Sequence, residues 1–148
     1  MFDHRLVDIC KTFYSVIIIN IIVIFSKLMK KKIIFFYHPR KNLTLNHVHY
    51  LEDLFSHFYK DYIVLHGHEV KNYSHKHFFY VSQSFLIRCL FNIDIFFSLN
   101  VCEKFPIKSI NIYMHHDIST APLVEKKKEK KLFERLIKYN YILISDQK

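Results

Sequence analysis

Beyond residue 31 the chain is written as short apolar runs set between polar or charged stretches. The runs are "IIFFY" (33–37), "YIVL" (62–65), "FFYV" (78–81), "IDIFFS" (93–98), "INIYM" (110–114) and "YILI" (141–144). β-Branched and aromatic residues dominate them, which favours extended backbone. Most are continuous rather than alternating, the pattern of strands covered on both faces in a parallel α/β sheet. The stretches between them read as helices. Thr44 is placed to cap a helix reaching Lys60, with Val48, Leu51, Phe55 and Phe58 at helical spacing as its buried stripe. Residues 83–91 predict a shorter helix. A third starts near Pro122, whose fixed φ suits a first turn, and runs to Tyr139. Its apolar face is drawn from the pairs Leu132/Leu136 and Phe133/Ile137, Glu134 stands four before Lys138, and "EKKKEKK" (125–131) is its solvated first half. The resulting β-α-β-α series predicts an α/β fold, a Rossmann-like, mostly parallel sheet flanked by helices, with no internal repeat.

The amino-terminal segment, residues 1–31, stands apart from the domain expected over 32–148. "FYSVIIINIIVIF" (13–25) is apolar and is flanked by Lys11 and by Lys27, Lys30, Lys31 and Lys32. It falls short of the roughly 20 residues that a spanning helix needs. A secretory signal does not fit, because Asp3 and Asp8 lie in the leading region and "SKLM" (26–29) offers no small-x-small cleavage site. Two readings stand: a helix lying against the cytoplasmic face of a membrane with its lysines near anionic headgroups, or a buried helix or strand of the domain core.

Composition narrows the chemistry. At 148 residues the chain accommodates one domain with a sizeable core. Its single glycine, Gly67, excludes a dinucleotide fingerprint and a phosphate-cradling P-loop, both of which need several glycines for close backbone approach to phosphate. Cys10, Cys89 and Cys102 are odd in number and widely spaced among apolar residues, so they read as reduced thiols facing a cytosolic compartment. A net charge of +9 favours an anionic partner. Nucleic acid is not expected, since no RNP-like strand, zinc-knuckle spacing or basic recognition helix is present.

Polar groups gather after the apolar runs rather than before them. "HPRKN" (38–42), "HGHE" (66–69), "SQS" (82–84), "LN" (99–100) and "HHD" (115–117) follow successive strands. In an open parallel sheet ligands bind outside the carboxyl ends of the strands, so this edge is the expected site. His38, His66 and His68 are candidates there, as are the adjacent His115 and His116, because imidazole is the base that titrates near neutral pH. His47, His49 and His57 fall on the first predicted helix and read as surface residues, and His75 and His77 precede a strand without an evident role.

The order "KKIIFFYHPRKNLT … YIVLHGHE … FNIDIFFSLN … INIYMHHDIS … PLVEKKKEKKLFERLIKYNYILISDQ", over residues 32–147, resembles the amino-terminal domain of the CDP-glycerol glycerophosphotransferase family, enzymes that build teichoic-acid-like, capsular and related surface polymers. The signature is an apolar strand followed by a histidine, a polar turn, a helix, and a strand reading "YNYILIS" (139–145). The resemblance implies half of a GT-B fold, with the acceptor on this domain and the CDP-linked donor on a second Rossmann-like domain. It implies that His116 is the base, by its match to the histidine of the family's Trp-His-Gly-Thr context, with Asp117 where the family has glycine. The expected reaction moves a phosphoalditol or sugar unit to a hydroxyl of a lipid-linked or polymer acceptor, without metal or other cofactor. His116 and His115 are the expected catalytic residues. His38, Arg40, Lys41, Asn42, His66, His68, Asn100 and Asp117 are the expected substrate-binding groups, with Arg40 and Lys41 orienting an anionic acceptor. The strand that would close the first domain ends just before Lys148, so the chain is expected to be a fragment or to receive its donor domain from a second chain. The expected location is the inner face of the cell membrane.

Two other readings remain open at this stage. One is a membrane-associated or assembly module without catalysis. The other is a metal protein, suggested by the pairs His47/His49, His66/His68 and His75/His77. Carboxylate partners at diagnostic spacing are missing, and helical residues two apart point about 200° from one another, so His47 and His49 do not chelate one ion.

Overall fold

A computed structural model describes residues 4–38, 61–68, 78–82, 85–98, 101–115 and 126–144. Its elements follow the order α1 (His4–Leu28), β1 (Lys32–His38), β2 (Tyr62–His68), β3 (Phe78–Tyr80), a 3₁₀ helix (Phe85–Cys89), β4 (Ile95–Ser98), β5 (Ile110–His115), α2 (Lys126–Leu136) and β6 (Tyr141–Ile144). All six apolar runs form strands. They build one sheet in the order β3-β2-β1-β4-β5-β6, and every neighbouring pair is parallel. This is the order of a Rossmann-like sheet, in which the chain winds outward in both directions from β1.

The centre of the sheet is β1. Ile33, Ile34, Phe35, Phe36 and Tyr37 are all buried, which is why the run is continuous and not alternating. Side chains alternate between faces along a strand. Ile33, Phe35 and Tyr37 therefore join Leu65, Phe96 and Tyr113 on one face, where Phe96 stacks on Phe35 and Tyr37 at ring separations of 5.9 and 5.8 Å. Ile34 and Phe36 join Val64 and Phe97 on the other, with Phe36 and Phe97 stacked at 4.8 Å.

The helix α1 covers the first of these faces and is longer than the apolar run that announced it. Thr12, Ser15, Val16, Ile19, Val23 and Ser26 are buried and recur at three- and four-residue spacing, so they form one stripe against the sheet. Thr12 and Ser26 of the stripe are hydrogen-bonded. Thr12 donates to the carbonyl of Asp8 at 2.8 Å, and its oxygen meets both the backbone N–H and the hydroxyl of Ser82 at 3.1 and 2.9 Å. With the Thr12 proton committed to Asp8, Ser82 is the donor in that pair. Asn20 clasps the end of the 3₁₀ helix through its side-chain amide, donating to the Cys89 carbonyl at 2.8 Å and accepting from Phe91 N–H at 3.0 Å. The helix ends in a Schellman turn, in which Lys31 N–H bonds to Ser26 and Lys30 N–H to Lys27. Lys30 takes the left-handed position at φ 55° that glycine usually fills.

Several boundaries differ from expectation. Strand β2 continues through His66, Gly67 and His68, which pair with Phe36, Tyr37 and His38 of β1, so "HGH" belongs to the sheet and not to a loop after it. Pairing to a buried central strand overrides the polar character of these residues. The helix expected over 83–91 is a 3₁₀ helix, with Leu86 and Ile87 turned into the core. On α2, Leu136 packs against the core whereas Leu132, Phe133 and Ile137 are exposed. The strand that follows this helix, β6, is the edge of the sheet, and its Tyr141, Ile142 and Leu143 are exposed as well. The helix expected over 44–60 and the start of α2 at Pro122 lie outside the described residues.

Gly67 owes its place to packing. A Cβ there would lie 2.4 Å from Cζ of Phe35, whose ring is fully buried. Gly67→Ala is therefore expected to destabilise the domain by about 1–3 kcal/mol, the range for overpacking a filled core. A lowered urea midpoint with an unchanged slope measures this, and adding Phe35→Leu should recover part of the loss by making room for the methyl group.

Candidate functional site

Because β1 and β4 are neighbours while the chain departs from them in opposite directions, the switch point of the sheet lies between their carboxyl ends. The strand ends meeting this edge are Tyr80, His68, His38, Ser98 and His115, in spatial order from β3 to β5. Register sets their levels. His38 pairs with His68 and His68 with Tyr80, Tyr37 pairs with Ser98, and Ser98 with Tyr113. Three sequence-predicted residues, His38, His68 and His115, thus end strands on one edge, on both sides of the switch point.

His66 sits two residues back from the end of β2. It is buried, and its ring lies 5.8 Å from that of Phe36 at a tilt of 41°, so it forms part of the wall beneath the edge. Arg40, Lys41, Asn42, Asn100, His116 and Asp117 lie outside the described residues. Among the described residues no group of three or more His, Cys, Asp or Glu side chains gathers to hold a metal ion.

Under the switch point lies a polar cluster that the sequence reading missed. Ser98, at the end of β4, is fully buried and its hydroxyl meets the thiol of Cys102 at 3.1 Å. The backbone N–H of Cys102 donates to the hydroxyl of Tyr139 at 2.7 Å. Tyr139 is wedged edge-on against Phe105, with ring centroids 4.8 Å apart, and tilts against Tyr113 at 5.5 Å. Burial, and after it the neighbouring Cys102, push the Tyr139 hydroxyl well above the ordinary phenol pKa of 10.0, against the lowering effect of the backbone hydrogen bond. The phenol is thereby kept neutral. These contacts tie the turn after β4 to the turn before β6, so the strand ends on the β4 side of the crevice rest on a fixed floor. Ser98 at the end of an apolar run was the available signal, but nothing in the spacing pairs residue 102 with residue 139.

Two concavities lined by described residues contain none of these strand-end residues. One of about 400 Å³ is at the amino-terminal edge, lined by Lys27, Lys32, Tyr62, Asp94 and Lys108 among others. Asp94 there accepts from Ile33 N–H at 2.7 Å and so serves the sheet. The other, about 360 Å³, lies between α2 and the loop after β4, where Arg135 pairs with Glu103.

Tyr139→Phe is expected to leave the Cys102 N–H without its buried acceptor, at a cost of about 1–3 kcal/mol near neutral pH. The parent has a further dependence at high pH. The unfolded phenol loses its proton near pH 10 while the folded one keeps it, so the folded state binds more protons and stability falls as pH rises. The slope from this group approaches about 1.4 kcal/mol per pH unit. Chemical unfolding of parent and variant above pH 10 measures it, and the variant should show the shallower decline.

Comparison of the chain with protein-family models, with curated proteins and with solved structures found no match.

Proposed function

We propose that this chain is the acceptor-side half of a glycerophosphotransferase-like enzyme of the GT-B type, working at the cytoplasmic face of a membrane. The observation that carries the proposal is the sheet order, which brings His38, His68 and His115 to the carboxyl ends of β1, β2 and β5 around one switch point. The sequence resemblance over residues 32–147 supports the same reading and selects His116, one residue beyond β5, as the base. His116 takes the proton of the acceptor hydroxyl, and the oxygen attacks the β-phosphorus of a CDP-linked donor. The bond from that phosphorus to the bridging oxygen breaks, and CMP departs. Side chains on 38–42 hold the acceptor, with Arg40 and Lys41 meeting its negative charge. The donor is held by a second Rossmann-like domain.

Release of CMP from CDP-glycerol onto a soluble glycerol-phosphate oligomer tests the proposal, with a donor-binding domain supplied in trans or fused after Lys148. His116→Ala should lower turnover by about 10²–10⁴-fold, the range for loss of a general base, with donor affinity unchanged. His115→Ala should cost much less, because the resemblance selects His116 as the base and leaves His115 a supporting role. Equal turnover by His116→Ala and the parent removes the catalytic assignment. Acceptor binding without any CMP release would instead favour a non-catalytic module.

A further inference from the structure

The helix α1 has a second face. While Thr12, Val16, Ile19 and Val23 pack on the sheet, Leu6, Phe13, Tyr14, Ile17, Ile21, Ile24, Phe25 and Leu28 point outward and are exposed. No charged side chain interrupts these outward positions from Leu6 to Leu28, a stripe of roughly 35 Å at 1.5 Å per residue. Ile24, Phe25 and Leu28 keep 62%, 59% and 75% of their surface exposed, so the stripe is bare and not merely shallow. Although the segment Leu6–Leu28 is long and apolar enough to cross a membrane, its inner face is occupied. The stripe of Val16, Ile19 and Val23 belongs to the same core cluster as β1 and β4, and Thr12 and Asn20 are hydrogen-bonded to Ser82, Cys89 and Phe91. Crossing a bilayer would strip these contacts away.

We infer that the outward face of α1 is a docking surface for an anionic lipid bilayer, in which the helix lies flat with its apolar side chains in the acyl boundary. Charge placement selects this occupant. Lys27, Lys30, Lys31, Lys32 and Lys108 surround the carboxyl end of the helix, Lys11 flanks its first half, and all but the half-buried Lys31 are exposed. An apolar stripe bordered by lysines matches an acyl layer bordered by phosphate headgroups. A second copy packed in parallel on the same stripe would instead set one lysine cluster against another. The helix runs from the carboxyl end of β3, where Thr12 meets Ser82, to the amino end of β1. A flat helix therefore holds the sheet face along the membrane, and the carboxyl-edge crevice opens sideways, within reach of a substrate carried on a lipid. That last consequence rests on the transferase reading; the docking itself does not, because it is measured without turnover, and turnover is measured on a soluble acceptor.

Co-sedimentation of the full chain with vesicles is the test, using phosphatidylcholine alone and phosphatidylcholine mixed with phosphatidylglycerol. The parent should sediment with the mixed vesicles, and high salt should weaken but not abolish binding, since screening leaves the apolar part intact. The triple variant Ile17→Glu/Ile21→Glu/Ile24→Glu changes outward positions alone and should lose binding by roughly tenfold or more while keeping its circular dichroism. Lys27→Gln and Lys31→Gln should each cost about fivefold on the anionic vesicles at low salt. Should the triple variant fail to fold, a polarity-sensitive fluorophore on Cys10, exposed on the same side of α1, reports on the parent: a blue shift with mixed vesicles supports docking and an unchanged spectrum overturns it. Parent-like binding by a folded triple variant, or no binding by the parent, overturns the inference. So does a parent dimer that dissociates in the triple variant without either form binding vesicles, which would make a second copy the occupant.

Discussion

Everything in this domain depends on burying β1 from both sides. Five consecutive residues of that strand are inaccessible, so it has a layer of protein on each face and a hydrogen-bonded neighbour on each edge. A parallel strand cannot be joined to its neighbour by a tight turn, and each crossover must travel over a face. Covering β1 and connecting the strands in parallel are thus one constraint. The close approach of Phe35 to Gly67 follows from it: a ring packed on the central strand has to find room over the adjacent one, and the single glycine of the chain provides that room.

The same constraint places the candidate site. When strands on either side of β1 wind in opposite directions, the connections part at the β1–β4 boundary and leave the carboxyl edge open there. The histidines that end β1, β2 and β5 are brought together by topology, across long separations in sequence. The turns beside them are anchored by other groups. The Ser98–Cys102–Tyr139 cluster anchors the turn after β4, and Thr12 with Ser82 anchors the end of β3.

Helix α1 shows how one element answers two demands. Its inward stripe mixes hydroxyl residues with β-branched ones, and the buried hydroxyls of Thr12 and Ser26 donate to the Asp8 and Val23 carbonyls of the helix itself. Its outward stripe carries large apolar side chains that stay exposed. A soluble domain gains nothing from such a stripe, which costs solubility, whereas a domain resting on a lipid surface gains its attachment without surrendering the core contacts of the opposite face.

The strands were legible because their burial on both faces leaves a local trace, continuous runs of β-branched and aromatic residues, and the polar residues at the ends of those runs fall at the carboxyl ends of strands. The strand order was not legible, since it depends on which face each crossover takes. Nor was the extension of β2 through His68: its residues look like a loop, and pairing with β1 makes them a strand. Tyr139 and Cys102 meet across 37 residues only because α2 returns the chain to the amino-terminal edge beside β5. For α1 the sequence by itself determined an apolar segment bordered by lysines. Tertiary structure alone decided which half of its surface faces the sheet, because Thr12 and Asn20 find partners in Ser82, Cys89 and Phe91 and Val16, Ile19 and Val23 join the core of β1 and β4.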